Sequence, residues 1–240
     1  QPVLFDAVKS QWGLEIRDGY GQTEATALVG NAPGALIKVG AMGLPLPGYN
    51  IVLVDPQTEQ VVQDEGEVCI DLRQTRPTGL MSGYDKNTTS KSGALDGAFY
   101  HTGDFAKRDA DGYITFIGRI DDVFKSYDYR ISPFELERVM LAHPAIVEIA
   151  VVPSPDPLGL VVPKAFIFLN EAWYPGEETA EDIGNWMKNQ LPPEFRIRRI
   201  SFVQSLPKTA SGKVRRAELR DKEGRRAQPL VPLEDEYFLD

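Results

Sequence analysis

Cysteine and histidine are nearly missing from this 240-residue chain: Cys69 is the only cysteine, and His101 and His143 are the only histidines. A lone cysteine excludes an intrachain disulfide and a cysteine-built zinc site. Two histidines exclude a multi-histidine metal centre. Cys69 sits in Gly66-Glu-Val-Cys-Ile-Asp-Leu72, an alternating strand pattern, and reads as a small buried hydrophobe. This sparing use of cysteine suits a reducing, cytoplasmic compartment. No apolar run approaches the roughly 20 residues that a bilayer-crossing helix needs. Gln1–Phe5 lacks a basic region followed by a long apolar stretch, so no signal peptide is expected there. Nothing resembles Gly-x-Ser-x-Gly, which disfavours a Ser–His–Asp hydrolase. Chemistry is left to Lys, Arg, Asp, Glu, Thr and the backbone.

What is present points to folded, acidic domains. A hydrophobic content of 42% suits one large or two small globular domains. A net charge of −9 disfavours nonspecific nucleic-acid binding, which depends on neutralising phosphates. The charge is uneven: Arg196, Arg198, Arg199, Lys208, Lys213, Arg215, Arg216 and Arg220 crowd one late stretch. A solvated face and a site for a phosphorylated small molecule both fit that run.

Along the chain, Leu4, Val8 and Trp12 recur at helical spacing and Gly13 ends the pattern. A short strand over Leu14–Arg17 and a turn at Asp18-Gly-Tyr-Gly21 are expected next. From Gly43 to Gly118 the texture is β-rich, with strand-like runs at Tyr49–Val54, Glu67–Leu72 and Tyr113–Ile117. Asp109-Ala-Asp-Gly112 is a hairpin turn joining Phe105–Arg108 to Tyr113–Ile117. After Arg119 helices and strands interleave. Ser132-Pro-Phe-Glu135 has the form of a capped helix start, with the helix running to about Ala142. Strands are expected at Ile146–Val152, Lys164–Leu169 and Phe202-Val203. Thr179-Ala-Glu-Asp182 opens a second helix that turns Ile183, Trp186, Met187 and Leu191 inward, and Val214–Arg220 forms a last short one. This pattern predicts a compact α+β domain after a boundary near Ile120–Asp122.

Four segments carry the chemistry: Asp18-Gly-Tyr-Gly-Gln-Thr-Glu24; Tyr100-His-Thr-Gly-Asp104; Gly118-Arg-Ile-Asp-Asp122, continuing through Lys125 to Tyr129-Arg-Ile-Ser-Pro133; and Pro207-Lys-Thr-Ala-Ser-Gly-Lys213. Glycines in the first let backbone pass close to a nucleotide. Its Thr23 offers a hydroxyl, and Glu24 is an oxygen ligand suited to Mg²⁺. Asp104 follows Thr102-Gly103 and is a carboxylate able to accept hydrogen bonds from ribose hydroxyls. Taken singly, each has a plainer reading: a glycine turn, a turn aspartate capping its own backbone, a surface ion pair, a surface lysine.

In order and spacing, these segments resemble the adenylate-forming superfamily of acyl-CoA synthetases, firefly luciferases and peptide-synthetase adenylation domains. The likeness runs from residue 1 to about residue 226. It implies an α/β and α+β fold in three parts. Residues 1–119 are the β-rich end of a large domain, residues 120–226 a mobile α+β domain, and residues 227–240 an acidic tail. It implies ATP and AMP contacts from Asp18, Gly19, Tyr20, Gly21, Gln22, Thr23, Asp104, Arg119 and Arg130, with Mg²⁺ at Glu24. Asp121 corresponds to a hinge about which the small domain swings between an adenylating and a thioester-forming pose. Lys213, with Thr23 and Glu24, is implied in catalysis: a long cation reaching carboxylate and α-phosphate together.

The implied reaction joins a carboxylic acid to ATP, giving acyl-AMP and pyrophosphate, and then transfers the acyl group to coenzyme A. Arg76-Pro-Thr-Gly-Leu-Met-Ser-Gly-Tyr84 and Ser132–Glu137 look most like short- and medium-chain acyl-CoA synthetases of fatty-acid metabolism. Two features depart from the pattern. The family's Gly/Ser/Thr-rich phosphate loop is not in the chain, which implies an N-terminal portion of the same enzyme upstream. Asp128 stands where many members have glycine, between Tyr127 and Tyr129, along the route of the pantetheine thiol. The alternatives are an enzyme loading a carrier protein and a non-catalytic nucleotide-binding piece.

Overall fold

Glycine spacing and apolar alternation fix the first half of the chain. A computed structural model describes residues 2–84, 95, 97–156, 161–210, 212–226 and 235–239. The chain divides into two units, Gln1–Ile120 and Asp121–Asp240. In the first, helix α1 (Pro2–Trp12) ends where expected: Gly13 takes a left-handed φ of +67° and its N–H reaches the Lys9 carbonyl.

The next stretch corrects the sequence reading. Leu14–Arg17 is irregular, and the strand comes later, as β1 (Gly19–Gln22), where a turn was expected. The glycines serve close pairing with β2 (Thr26–Gly30): a Cβ on Gly21 would lie 1.9 Å from the Thr26 carbonyl oxygen. Strand β3 (Leu44–Pro45) completes this antiparallel sheet.

A five-stranded antiparallel sheet follows, from β4 (Ile51–Val54), β5 (Val61–Val62), β6 (Glu65–Asp71), β7 (Phe99–Arg108) and β8 (Ile114–Arg119), in the order β5-β4-β6-β7-β8. The β7–β8 hairpin turns at Asp109–Gly112 as the sequence predicts. Asp109 accepts the N–H groups of Asp111 and Tyr113, and Gly112 is left-handed at φ +84°. Leu53, Val68, Ile70, Tyr100 and Ile114 of this sheet pack with Leu28 and Val29 of the first.

The second unit opens with the hairpin β9 (Phe124–Ser126) and β10 (Tyr129–Ile131). Helix α2 (Pro133–Met140) starts on the expected cap, Ser132 Oγ accepting from the Glu135 N–H at 3.2 Å, and ends two residues before Ala142. Strands β11 (Ile146–Pro155) and β12 (Val161–Leu169) pair antiparallel; after helix α3 (Glu177–Gln190), β13 (Arg199–Phe202) lies parallel to β12. Helix α3 starts two residues before Thr179, which donates its hydroxyl to the Tyr174 carbonyl instead of capping the helix. Helix α4 (Arg216–Gly224) and β14 (Glu236–Phe238) finish the unit.

Period-2 alternation explains why the sheet β11-β12-β13-β14 is apolar throughout. Ile149, Val151, Ala165 and Ile167 face α2 and α3, while Ala150, Val152 and Phe166 face Leu219 of α4. The same alternation sends Lys164 to the α4 face, where it is fully buried. Its ammonium meets Glu223 at 2.7 Å and Glu236 at 2.8 Å, and Arg226 bridges the same two carboxylates. The stretch read as an acidic tail therefore carries an edge strand, Glu236–Phe238, whose Glu236 is held in the ion cluster. Residues 227–234 and Asp240 of that stretch lie outside the described residues.

Removing one partner of a buried ion cluster strands the others. Lys164→Ala is expected to cost about 3–5 kcal/mol, read as a lowered urea midpoint with an unchanged m-value. A loss under about 1 kcal/mol, the range of an exposed pair, would show the cluster to be stabilised by Arg226 alone.

Candidate active site

Strand β7 is the spine of the site. Tyr100, Thr102 and Asp104 alternate along it, and each meets a group delivered by β1 or β8. Register places Asp104 directly opposite Arg119, so the two side chains meet as a cross-strand pair, Arg119 Nη1 reaching Asp104 Oδ1 at 3.1 Å. The same Nη1 donates to the Thr102 carbonyl at 3.0 Å. From β1, Tyr20 donates its hydroxyl to Asp104 Oδ2 at 2.5 Å and Gln22 donates to that oxygen at 2.7 Å. Gln22 also donates to the Thr102 carbonyl and accepts from the Tyr100 hydroxyl at 2.9 Å. Tyr20, Gln22, Asp104 and Arg119, all named from sequence, thus form one cluster. Tyr100 joins it without having been assigned a role.

Asp104 is buried, and a carboxylate has about four lone-pair positions. Tyr20, Gln22 and Arg119 occupy three, leaving capacity for one more donor on Oδ1 before any partner exchanges. The phenol of Tyr20 is pushed well above the ordinary tyrosine range, first by burial and then by the Asp104 charge. Tyr100 is pushed up as well, by burial and then by Tyr84. Both therefore act as neutral donors around a buried anion.

The remaining residues of the first motif lie along the same edge. Asp18 caps its own turn, its Oδ1 accepting the Gly19 N–H at 2.8 Å. Thr23 is exposed in the turn between β1 and β2. Glu24 is half-buried, and its Oε1 accepts the Tyr84 hydroxyl at 3.1 Å. Burial, followed by that Glu24 contact, raises Tyr84 above its usual value. Tyr84 is the second residue that sequence reasoning quoted but left without a part.

Lys213, Arg130 and Asp121 belong to the second unit. Lys213 is exposed in a tight loop: its N–H meets Thr209 Oγ1 at 3.1 Å, and its carbonyl accepts the Thr209 N–H at 2.8 Å. Ser211 of that loop lies outside the described residues. Asp121 opens the unit in an exposed turn, and Arg220 of α4 donates to its carbonyl at 2.7 Å. Arg130 is exposed on β10. The β9–β10 turn carries Tyr127 at φ +53°, unusual for a residue with a side chain. Asp128 beside it is exposed and paired with Lys125 at 3.1 Å. Tyr129 packs edge-on against Phe195.

The basic run of the late chain forms no single patch. Arg199 is buried against Asp156, Lys208 meets Glu148, and Arg216 bridges Asp122 and Glu137. Only part of that charge is on offer to a ligand, so neither simple reading of the run holds.

The family model described as AMP-binding enzyme matches residues 1–85, and that described as AMP-binding enzyme C-terminal domain matches residues 135–213. The chain is 42% identical over 238 residues to 4-hydroxybutyrate–CoA ligase 1 of Metallosphaera sedula, covering 98% of this chain and 42% of that protein. It is 42% identical over 225 residues to the mitochondrial acyl-coenzyme A synthetase ACSM3 of Rattus norvegicus, covering 92% of this chain and 39% of the relative. The chain thus spans about two fifths of the length of these curated relatives. Among solved structures, the anthranilate CoA ligase AuaEII in complex with anthranoyl-AMP matches with a TM-score of 0.79 and 36% identity, over 92% of this chain and 42% of that one. A benzoate CoA ligase from Burkholderia xenovorans LB400 matches with a TM-score of 0.75 and 35% identity, over 91% and 43%. The chain belongs to the AMP-binding enzymes of the adenylate-forming superfamily and carries their C-terminal domain.

Proposed function

We propose that this chain forms part of an ATP-dependent acid–thiol ligase that makes acyl-coenzyme A by way of an acyl-adenylate. A carboxylate oxygen of the acid attacks the α-phosphorus of ATP, the bond to pyrophosphate breaks, and acyl-AMP remains. The sulfur of coenzyme A then attacks the acyl carbon, and AMP leaves with the electron pair of the broken C–O bond. The observation that carries the reading is the pairing of buried Asp104 with half-buried Arg119, held by Tyr20, Gln22 and Tyr100 in a chain of the AMP-binding family.

Asp104 has Oδ1 capacity for one ribose hydroxyl, and exchange of the Tyr20 phenol opens a second position. Arg119, beside it, takes the other hydroxyl or a phosphate oxygen. Asp18, Gly19 and Gly21 bring backbone close to the nucleotide, and Thr23 supplies a hydroxyl to phosphate. Arg130 supplies a further nucleotide contact from the second unit. Glu24 fits a hard cation, its carboxylate standing beside the Tyr84 hydroxyl, and Mg²⁺ held there would supply charge neutralisation for the phosphates. Lys213 offsets the negative charge that builds as acid and α-phosphate meet. Asp121 serves as the hinge, and Tyr127, Asp128 and Tyr129 border the path of the thiol.

One observation supports a second reading of the acceptor. Asp128 projects a carboxylate from the turn at φ-positive Tyr127, where the exposed Lys125 pairs with it. A carrier-protein phosphopantetheine is therefore the alternative thiol. The reducing, cytoplasmic setting suggested by the lone cysteine belongs to the same proposal.

The test is acid-dependent release of pyrophosphate and AMP by the intact enzyme with ATP, Mg²⁺ and a panel of short, medium and aromatic acids, with and without coenzyme A. No acid-dependent pyrophosphate release from any of them overturns the proposal. Asp104→Ala is expected to raise the KM for ATP about 10- to 100-fold, the worth of a charge-assisted hydrogen bond, with little change for the acid. An unchanged KM for ATP would remove Asp104 from the ribose site. Lys213→Ala is expected to slow acyl-AMP formation by about 10²–10³ while sparing thioester formation from supplied acyl-AMP. Equal loss in both halves would refute the role given to Lys213.

A further inference from the structure

Strand β7 is broken by a bulge at the point where the site is built. Its register with β6 runs Glu67↔Phe105 and then Cys69↔His101, so Thr102, Gly103 and Asp104 all stand opposite Val68 alone. A bulge of this kind leaves backbone groups without ladder partners. Each is met individually. Thr102 Oγ1 donates to the Val68 carbonyl at 2.6 Å and accepts the Asp104 N–H at 3.1 Å; the Gly103 carbonyl accepts the Ile120 N–H at 2.9 Å. The Gly103 N–H is taken by the Glu67 side chain, Oε1 lying 2.7 Å away.

Glu67 is only 5% exposed, and its other oxygen, Oε2, lies 2.8 Å from His101 Nδ1. The Glu67 contact holds His101 above the ordinary histidine value, against the effect of burial. Cys69, next along the same face, has its thiol pushed up by burial and then by the Glu67 charge. Glu67, Cys69 and His101 place their donor atoms within 4.8 Å of one another, the spacing of a small metal site. Both Glu67 oxygens are already engaged and Cys69 is held as the neutral thiol, so the group reads as a closed brace for the bulge.

Gly103 is the right residue to receive such a brace. It is left-handed at φ +72°, and a Cβ there would lie 2.7 Å from Arg119 Nη2. The bulge therefore aims three things at once: the Thr102 carbonyl toward Gln22 and Arg119, the Gly103 peptide under the Arg119 guanidinium, and the Asp104 carboxylate toward Arg119 and Tyr20.

We infer that Glu67, whose two carboxylate oxygens engage the Gly103 N–H and His101, is the positioning residue that holds the β7 bulge and so sets Asp104 and Arg119 for the ribose. This rests on the reading of Asp104 as the ribose acceptor.

The experiment compares binding of AMP and of 2′,3′-dideoxy-AMP by the full chain and by Glu67→Ala, Glu67→Gln and Asp104→Ala, with amide hydrogen exchange at Gly103 followed by NMR. The preference for AMP over the dideoxy ligand isolates the ribose hydroxyls. Glu67→Ala is expected to lose about tenfold of that preference and to speed Gly103 exchange by a similar factor, while binding of the dideoxy ligand changes little. Glu67→Gln keeps an oxygen at the Gly103 N–H and is expected to retain most of both. Full preference in Glu67→Ala, or equal loss of both ligands in the Ala and Gln variants, overturns the inference. If Asp104→Ala leaves the preference unchanged, the ribose assignment fails, while Gly103 exchange still reports separately whether Glu67 holds the bulge.

Discussion

The geometry of the first unit depends on one left-handed glycine inside a ten-residue strand. Gly103 lets β7 carry two more residues than β6 at the same place without losing the pairing on either side. An L-residue there would face both the cost of φ +72° and a collision with Arg119. Because the strand resumes its register after the bulge, Asp104 and Arg119 remain directly opposed, and Tyr100 stays aligned with Gln22. The buried carboxylate is then tolerable because three donors surround it, one of them charged. Without the bulge the two extra residues would slip the pairing of β7 past β6 by one pleat repeat, and Asp104 would no longer lie beside the Val68 position while still opposing Arg119.

The second unit solves a different problem with the same physics. Its sheet is covered on both faces, so the side chains of β12 from Val162 to Ile167 must be accommodated in a dry interior. Lys164 falls on the α4 face by strict alternation, and no register shift is available to move it outward. The chain instead brings Glu223 from α4 and Glu236 from β14 to it, with Ser154 and Arg226 completing the hydrogen bonds. Such a cluster gains little over well-packed apolar groups. It does specify which strand adds to the β13 edge, since a strand without a carboxylate at the position of Glu236 would leave Lys164 half-paired.

The parts of this architecture that were legible in sequence are the local ones. Ser132 as a cap, the Asp109–Gly112 turn and the strand runs of β6, β8, β11 and β12 each depend on residues a few positions apart. The motif residues Tyr20, Gln22, Asp104 and Arg119 were named because their segments stand in a family order, and the fold brings them together. What could not be read is contact between distant residues. Tyr100 meets Gln22 across 78 positions and Lys164 meets Glu223 across 59. Glu67 looked like an ordinary polar residue of an alternating strand; only the bulge on the neighbouring strand turns its side chain to a backbone amide. Residues 19–22 were misread for a related reason. Glycine marks turns locally, but here it marks where another backbone must come within van der Waals range.

The late basic stretch shows how composition misleads when fold is ignored. Arg216 lies three residues beyond Lys213, and its guanidinium is committed to Asp122 and to both oxygens of Glu137. Arg220, one turn further, holds the Asp121 carbonyl and the Asp122 carboxylate. Burial drives Glu137 upward against the pull of Arg216, so the charge of the pair depends on the contact being kept. These bonds make the start of the unit, helix α2 and helix α4 a single body. Lys213 stands at the entrance to α4, on a loop fixed by Thr209. Within the second unit Arg216 and Arg220 thus bind Asp121 and Asp122 to the helix that follows the lysine, so loss of either arginine is expected to loosen the setting of the Lys213 loop. Much of the charge that looked like a ligand patch in sequence is committed to these internal pairs, which tie α4 to the start of the unit and to α2.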